Sequence, residues 1–271
     1  MKQTPDIFFL SHGGGPLPLL GDPGHQEMVT RLQAMAGRLS RPSAILVISA
    51  HWEETVPTIT AGAHPALIYD YYGFPPESYE IQYPCPGEPV LARQVQQSLT
   101  NAGIRARLDE QRGFDHGVFV PLKLMYPEAN IPCVQLSLVK DLDAANHLAI
   151  GQALRALNHD TLLVIGSGFS FHNMKAFFTP GTPEIQAKNQ AFEDWLEETC
   201  ASPDLNETER SRRLREWETA PHARFCHPRE EHLLPLHVCY GMAGHACDEH
   251  IAATILGRRS GMFYWSGKDA G

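Results

Sequence analysis

The sequence predicts an α/β fold, a single domain in which helices flank a central, largely parallel sheet. Four short apolar runs lack the strict alternation of half-exposed strands; they span residues 7–10, 44–48, 131–136 and 162–165. Such continuous runs are typical of strands that are covered on both faces. Longer segments between the runs show a helical spacing of apolar residues, and strands that alternate with helices favour a parallel sheet.

The remaining elements follow from local patterns. Met28, Leu32 and Met35 recur at helical spacing and predict a helix, and similar spacing predicts helices over residues 90–99, 148–157 and 192–196. Residues 55–89 are rich in proline and tyrosine, which predicts either a functional loop or a plain surface connection. Residues 179–218 are polar and charged, and we expect peripheral helices there.

Composition and charge exclude several classes of protein. The chain has 271 residues, 43% of them hydrophobic, which predicts one globular domain over residues 1–271. The net charge of −9 disfavours nucleic acid, and the basic run at residues 210–215 is bracketed by glutamates, which predicts a solvated helix face. Six cysteines without C-x-x-C pairing predict free thiols and disfavour a zinc ribbon.

The chain shows no sign of a membrane span or a secretion signal. No stretch approaches the ~20 apolar residues that cross a bilayer. Residues 7–10 are too short for the apolar core of a signal peptide. We therefore expect a cytoplasmic protein that begins near Met1 and makes no membrane contact.

Histidines follow three of the four apolar runs. His12 comes after the first run, His51 after the second and His172 after the fourth. Ligands of open α/β sheets bind beyond the carboxyl ends of the strands. These three imidazoles are therefore expected to converge on one cleft.

A second histidine-rich segment spans residues 227–237. Pro228 fits the first turn of a helix, and the glutamates that follow fit the positive end of the helix dipole. If this helix points into the cleft, Glu231 or His232 completes a metal site, whereas His237 faces elsewhere. Two histidines and one further ligand with open positions describe either a non-haem Fe(II) centre or a catalytic zinc.

His116 lies between Asp115 and Gly117. It is either a core residue held by the aspartate or a ring exposed by a turn, where it donates to an anionic substrate oxygen. Three glycines follow His12, but the chain has no G-x-x-x-x-G-K-[ST] or G-x-G-x-x-G motif, which disfavours a nucleotide site.

In the same order, these motifs resemble those of the class III extradiol ring-cleavage dioxygenases, most closely the single-domain DOPA extradiol dioxygenase subfamily. The similarity runs from about Pro5 to Trp265. The motifs that carry it are Ser11-His12-Gly13, Ser49-Ala50-His51-Trp52, Gly113-Phe114-Asp115-His116-Gly117, His172-Asn173 and Glu231-His232-Leu233-Leu234-Pro235-Leu236.

The resemblance implies roles for five histidines. His12 and His51 correspond to two metal ligands and His232 to the third, with Glu231 as the alternative. His172 corresponds to an acid/base histidine, which is also a metal ligand in zinc-loaded relatives. His116 corresponds to a histidine that contacts substrate or oxygen.

The implied function is insertion of O₂ into a catechol, a DOPA-like dihydroxyphenyl ring, which opens to a semialdehyde. The expected cofactor is Fe(II), and zinc fits the same site. Two alternatives stay open: a zinc-dependent hydrolase with Glu231 as its base, and a non-catalytic metal-binding protein that retains the fold.

Overall fold

In the computed structural model, which describes residues 4–267, one sheet of eight strands runs through the chain. The strands lie side by side in the order β4-β3-β5-β2-β6-β1-β8-β7. In chain order they are β1 (Asp6–Ser11), β2 (Ala44–Glu54), β3 (Thr58–Thr60), β4 (Arg107–Asp109), β5 (Cys133–Val139), β6 (Leu162–Gly168), β7 (Glu249–Ile255) and β8 (Arg258–Trp265).

The four central strands are parallel; three of them contain an apolar run each, and the run at residues 131–136 begins two residues before β5. β1 pairs with β6, and β2 lies between β5 and β6. Alternate residues of β1 enter two separate apolar clusters, Ile7 and Phe9 on one face of the sheet and Phe8 and Leu10 on the other. Because both faces are buried, the sequence shows runs rather than alternation. The predicted α/β fold is confirmed.

Helices cover both faces of the sheet. In chain order they are α1 (Gln26–Arg38), α2 (Pro89–Asn101), α3 (His116–Met125), α4 (Ala144–Leu154), α5 (Met174–Phe177), α6 (Pro183–Ala201), α7 (Glu207–Arg215), α8 (Ala223–Cys226) and α9 (Leu234–Ala243). Helices α1 and α3 pack in one apolar cluster, and α2, α4, α6 and α9 pack in the other. The four helices predicted from apolar spacing overlap α1, α2, α4 and α6.

The outer strands lie outside the sequence predictions. β3 and β4 have three residues each, too few to show a pattern. β7 and β8 form an antiparallel hairpin that joins β1 through β8. Leu256 and Gly257 turn the chain between them with φ values of 49° and 73°, the left-handed conformation that two-residue hairpin turns require.

Two local predictions are wrong. Arg210, expected on a solvated helix face, is 1% exposed, and its guanidinium donates to carbonyls at and just beyond the end of α6. These carbonyls lack helical partners, so the arginine satisfies them. The helix expected at Pro228 begins instead at Leu234, with Pro235 in its first turn, and residues 228–233 form bends and turns.

Two further observations concern the whole described chain. Within residues 4–267, no helix is both long and apolar enough to cross a membrane. All six cysteines are buried free thiols, in agreement with the sequence prediction.

Candidate active site

Five imidazoles lie in contact at the carboxyl edge of the central strands. The ring centroids of His12 and His51 are 4.9 Å apart, and the ring of His232 lies 5.3 Å from the first and 4.9 Å from the second. His116 lies 3.8 Å from His51, and His172 stacks on His232 at 3.4 Å. The structure thus brings together all five histidines singled out in the sequence.

The strand ends carry two of these rings into place. His12 directly follows β1, and its backbone N–H donates to the carbonyl of Gly168 at the end of β6, at 3.0 Å. His51 lies within β2 rather than after it, where the pairing of β2 with β5 shifts register between Ile48 and Glu53. Such an irregularity re-aims side chains next to active sites.

A close backbone contact brings His232 to the same edge. The carbonyl of His232 accepts a hydrogen bond from the backbone N–H of Phe169, at 2.9 Å. A Cβ at Gly168 would lie 2.1 Å from that carbonyl oxygen, so only glycine lets the segment before α9 approach the end of β6. Gly168 therefore lies between the backbones of two of the predicted metal ligands.

The tautomer of His12 follows from its hydrogen bonds. The Ser167 hydroxyl donates to the carbonyl of Gly117, so it accepts from Nδ1 of His12, 3.0 Å away. The proton of His12 is therefore on Nδ1, and the lone pair of Nε2 faces the cluster. That nitrogen lies 3.0 Å from Nε2 of His51.

On one side of the cluster, Asp70 contacts two imidazoles. Its Oδ1 accepts from the backbone N–H of His116 at 3.0 Å and from Nδ1 of the same residue at 2.9 Å. Its Oδ2 lies 3.7 Å from Nδ1 of His51. Burial acts against ionisation, but these hydrogen bonds lower the pKa of Asp70.

On the opposite side, Glu231 contacts the other two imidazoles. Its Oε1 lies 2.8 Å from Nδ1 of His232 and 3.4 Å from Nδ1 of His172. Burial raises the pKa of Glu231, but hydrogen bonds from His172 and His232 outweigh it and hold the pKa well below its ordinary value. Arg229 lies 3.4 Å from Oε2 and forms a two-pronged pair with Glu53 at 2.6 and 2.7 Å.

A third carboxyl group, Asp115, supports the base of the site. It is fully buried, caps the start of α3 through Gly117 N–H, and accepts from Ser49 at 2.7 Å and from Gln135. The Ser49 hydroxyl in turn accepts from the backbone N–H of His51 at 3.2 Å. Asp115, the residue before α3, thus links the start of that helix to β2, the strand that carries His51.

The donor atoms fit a divalent cation. Two ligand nitrogens at about 2.1 Å from one ion lie about 3.0–3.4 Å apart, as the Nε2 atoms of His12 and His51 do. Burial, with the neighbouring imidazoles, holds the pKa of His12 and of His51 well below the ordinary value and lowers that of His232 to about 3. The rings are therefore neutral, the form that binds metal.

The donor atoms divide into two groups, each within 4.8 Å. One group holds His12, His51 and His116, and the other holds His172, Glu231 and His232. The predicted ligand set of His12, His51 and His232 therefore draws on both groups.

Comparison with known proteins decides the family. A family model described as the catalytic LigB subunit of aromatic ring-opening dioxygenase matches residues 7–264. The chain belongs to this family. The dioxygenase is thus an aromatic ring-opening oxidoreductase, and the expected membership of the class III extradiol enzymes is confirmed.

Relatives cover nearly all of this dioxygenase. It is 39% identical to the dioxygenase tasH of Hapsidospora irregularis, over 97% of this chain and 86% of that protein. It is 38% identical to the 4,5-DOPA dioxygenase extradiol of Beta vulgaris, over 90% and 88%. The crystal structure of uncharacterized protein JW3007 from Escherichia coli K12 superposes with a TM-score of 0.75 at 28% identity, covering 95% of this chain and 99% of that one.

Other histidines of the dioxygenase have structural partners. His237 is buried and bonds the carbonyl of Leu214 at 2.7 Å, away from the cluster as expected. His227 is buried and donates to the carbonyl of Ser170 at 2.7 Å.

Sequence reasoning did not find Asp70, Ser167 or the pair of Arg229 and Glu53. The signal for Asp70 was a carboxylate inside an aromatic run, Tyr69 to Tyr72.

Proposed function

We propose that this dioxygenase inserts O₂ into a DOPA-like catechol and cleaves the ring beside, rather than between, its two hydroxyls. Both oxygen atoms enter the product, which carries a new carboxylate and an aldehyde. The observation that carries the proposal is the meeting of five imidazoles around the converging Nε2 atoms of His12 and His51, 3.0 Å apart. A hydrolytic site needs no such surplus of imidazoles beside its metal ligands.

The proposed metal ligands are His12, His51 and His232, with Fe(II) as the working metal and zinc as an ion that fits the same donors. A divalent metal held by these residues would supply Lewis acidity, and iron would add the redox chemistry that a reaction with O₂ requires. Ser167 supports this assignment at His12 and Glu231 at His232, because a bonded Nδ1 leaves Nε2 as the ligand atom.

His172 is proposed to move protons. It takes the second phenolic proton of the catechol and returns it during ring opening, a step that imidazole performs in many enzymes. Its Nδ1 lies 3.4 Å from Glu231, and its ring stacks on that of His232, so the ring is held beside the proposed metal position. His116 is proposed to hydrogen-bond an oxygen atom of the substrate or of O₂.

The entrance to the site favours a charged substituent on the catechol. A cavity of ≈ 350 Å³ is lined by Ala50, His51, Glu53, Arg229, Glu231 and His232. The paired Arg229 and Glu53 side chains complement the carboxylate and the ammonium of an amino acid. This match supports a DOPA-like substrate, in line with the relatives named 4,5-DOPA dioxygenase extradiol.

We further propose that residues 1–271 act as one catalytic domain and work in the cytoplasm, where reducing conditions suit six buried free thiols.

Anaerobic loading with Fe(II), followed by a panel of catechols under air, tests the proposed function. We expect uptake of O₂ and a yellow ring-fission product, fastest with DOPA. Hydrolysis of esters or amides by the zinc-loaded protein, without O₂ uptake by the iron-loaded protein, would favour the hydrolase. Metal binding with neither activity would favour the non-catalytic alternative.

A further inference from the structure

The tyrosine-rich segment of residues 55–89 contributes a side chain to the imidazole cluster. We propose that Asp70 is a positioning residue of the ring-opening reaction: it fixes the proton of His116 on Nδ1 and aligns His51 so that Nε2 of each ring faces the site. This inference rests on the proposed function, since it concerns the same metal position. It assigns a task to a residue that none of the sequence motifs contains.

The contacts with His116 define its tautomer. Oδ1 of Asp70 accepts from two donors of that residue, the backbone N–H at 3.0 Å and Nδ1 at 2.9 Å. An ionised carboxylate only accepts hydrogen bonds, so Nδ1 of His116 carries the proton. His116 is the first residue of α3, and the two contacts together hold both its backbone and its ring against Asp70.

The second oxygen of Asp70 extends the effect to His51. Oδ2 lies 3.7 Å from Nδ1 of His51, whose ring centroid is 3.8 Å from that of His116. The two rings therefore share one carboxylate and pack against each other. At 3.7 Å the contact with His51 is too long for a hydrogen bond, so Asp70 acts on that ring through its charge and through the packed ring of His116. We therefore expect its loss to cost metal affinity near the lower end of the 10–100-fold range typical of hydrogen-bonded carboxylates.

The loop holds Asp70 firmly because its neighbours are anchored. The hydroxyl of Tyr69 donates to the carbonyl of Ile81 at 2.7 Å, and that of Tyr71 to the carbonyl of Ser78 at 2.5 Å. The Tyr71 ring packs edge-on against His116 with centroids 5.7 Å apart.

Backbone bonds hold the approach to Asp70 as well. Ile68 N–H donates to the carbonyl of Phe114 and Phe114 N–H to that of Ala66, both at 2.8 Å. The segment before Asp70 is thus paired with the segment before His116. Asp70 is therefore placed before any ligand arrives, which is what a positioning residue needs.

The experiment compares Asp70→Ala and Asp70→Asn with Glu197→Ala. The control variant also removes a carboxylate beside an imidazole. Glu197 lies 3.3 Å from Nδ1 of His250, which is on β7 at the edge of the sheet. Two measurements are made on the full chain: the tautomer of His116 by ¹⁵N-histidine NMR without metal, and the dissociation constant of Zn²⁺ by competition with a chelator.

We expect Asp70→Ala to lose the Nδ1–H signature of His116 and to bind Zn²⁺ about tenfold more weakly. Asp70→Asn should fall between Asp70→Ala and wild type, and Glu197→Ala should match wild type. If Asp70→Ala does not fold, Asp70→Asn decides through the same two measurements.

Wild-type tautomer and wild-type Zn²⁺ affinity in the folded Asp70 variants would overturn the proposal. A purely structural role for Asp70 would change stability without moving the tautomer. Neither measurement needs turnover, so a failure of this proposal is distinct from a failure of the proposed function, which appears as an inactive wild-type protein loaded with Fe(II).

Discussion

The two sides of the imidazole cluster use the same device in different ways. On each side one carboxylate contacts two imidazoles, Asp70 contacting His51 and His116, and Glu231 contacting His232 and His172. Each carboxylate thus pairs one proposed metal ligand with one proposed reacting histidine.

The difference between the sides lies in how each carboxylate is held. Glu231 precedes His232 in the chain and is backed by Arg229, 3.4 Å from Oε2. Asp70 arrives from a loop whose tyrosines are tied to the backbone. One side is therefore organised by chain neighbours and an ion pair, and the other by the folding of a distant segment.

Substitution of the proposed metal ligands should give the largest effect, and it tests whether each carboxylate contacts one metal ligand. His51→Ala and His232→Ala should each lose bound metal and with it all turnover, because each removes an imidazole donor. Metal analysis after Fe(II) loading measures this, with His159→Ala as a control. Retention of metal by His232→Ala together with its loss from His116→Ala would mean that the ligands are His12, His51 and His116.

Substitution of the two reacting histidines tests the other member of each pair. His172→Ala should keep its metal and lose turnover by a factor on the order of 10²–10⁴, the usual range for a removed acid or base. His116→Ala should also keep metal, with a smaller loss of turnover. Steady-state rates and metal analysis on the same samples measure both effects. If His172→Ala loses its metal, His172 is a ligand.

Glu193, a buried carboxyl group away from the cluster, shows what the imidazoles change. Glu193 accepts from Ser170 at 2.7 Å, and burial raises its pKa to about 8, whereas hydrogen bonds from histidines lower the pKa of Asp70 and Glu231. The folded protein keeps the proton of Glu193 that the unfolded chain loses above its ordinary pKa, so stability falls as pH rises toward 8.

Glu193→Gln should remove this loss of stability. Relative to wild type, its free energy of unfolding should rise by roughly 1 kcal/mol per pH unit between about pH 5 and pH 8. Urea unfolding at several pH values measures it, with the exposed Glu198→Gln as control. An equal pH dependence in Glu193→Gln and wild type would show that Glu193 is ionised in the folded protein.

Substitution of Arg229 gives the smallest expected effect. It tests the role of the side of the cluster that faces the cavity. Arg229→Met should raise KM for DOPA about tenfold, because one charged hydrogen bond is worth about 1.5 kcal/mol. KM for 4-methylcatechol, which has no charged substituent, should change little. The exposed Arg212→Met on α7 serves as control. An equal rise of KM for both substrates would mean that Arg229 acts through Glu231 and not on the substituent.

The central sheet and the histidines could be predicted from sequence because they depend on local patterns. Buried parallel strands leave apolar runs, and strand ends gather at one edge, which placed His12 and His51 together. The position of Asp70 depends on the path of a loop between residues far apart in the chain. No local pattern encodes such a path, and the same holds for the start of α9, where Pro228 and Pro235 both suit a first turn.

Three hydrogen bonds join the segment after β6, residues 169–172, to the segment before α9, residues 226–232, and they limit how the site can open. Phe169 N–H bonds His232 O, His172 N–H bonds Cys226 O, and the His227 ring bonds Ser170 O, all within 2.7–2.9 Å. A hinge motion of the His232 segment would break all three bonds at once. We therefore expect substrate to enter and product to leave through an opening of fixed backbone, lined by Glu53 and Arg229. The rates of entry and release should then depend on rotation of these two side chains and on ionic strength.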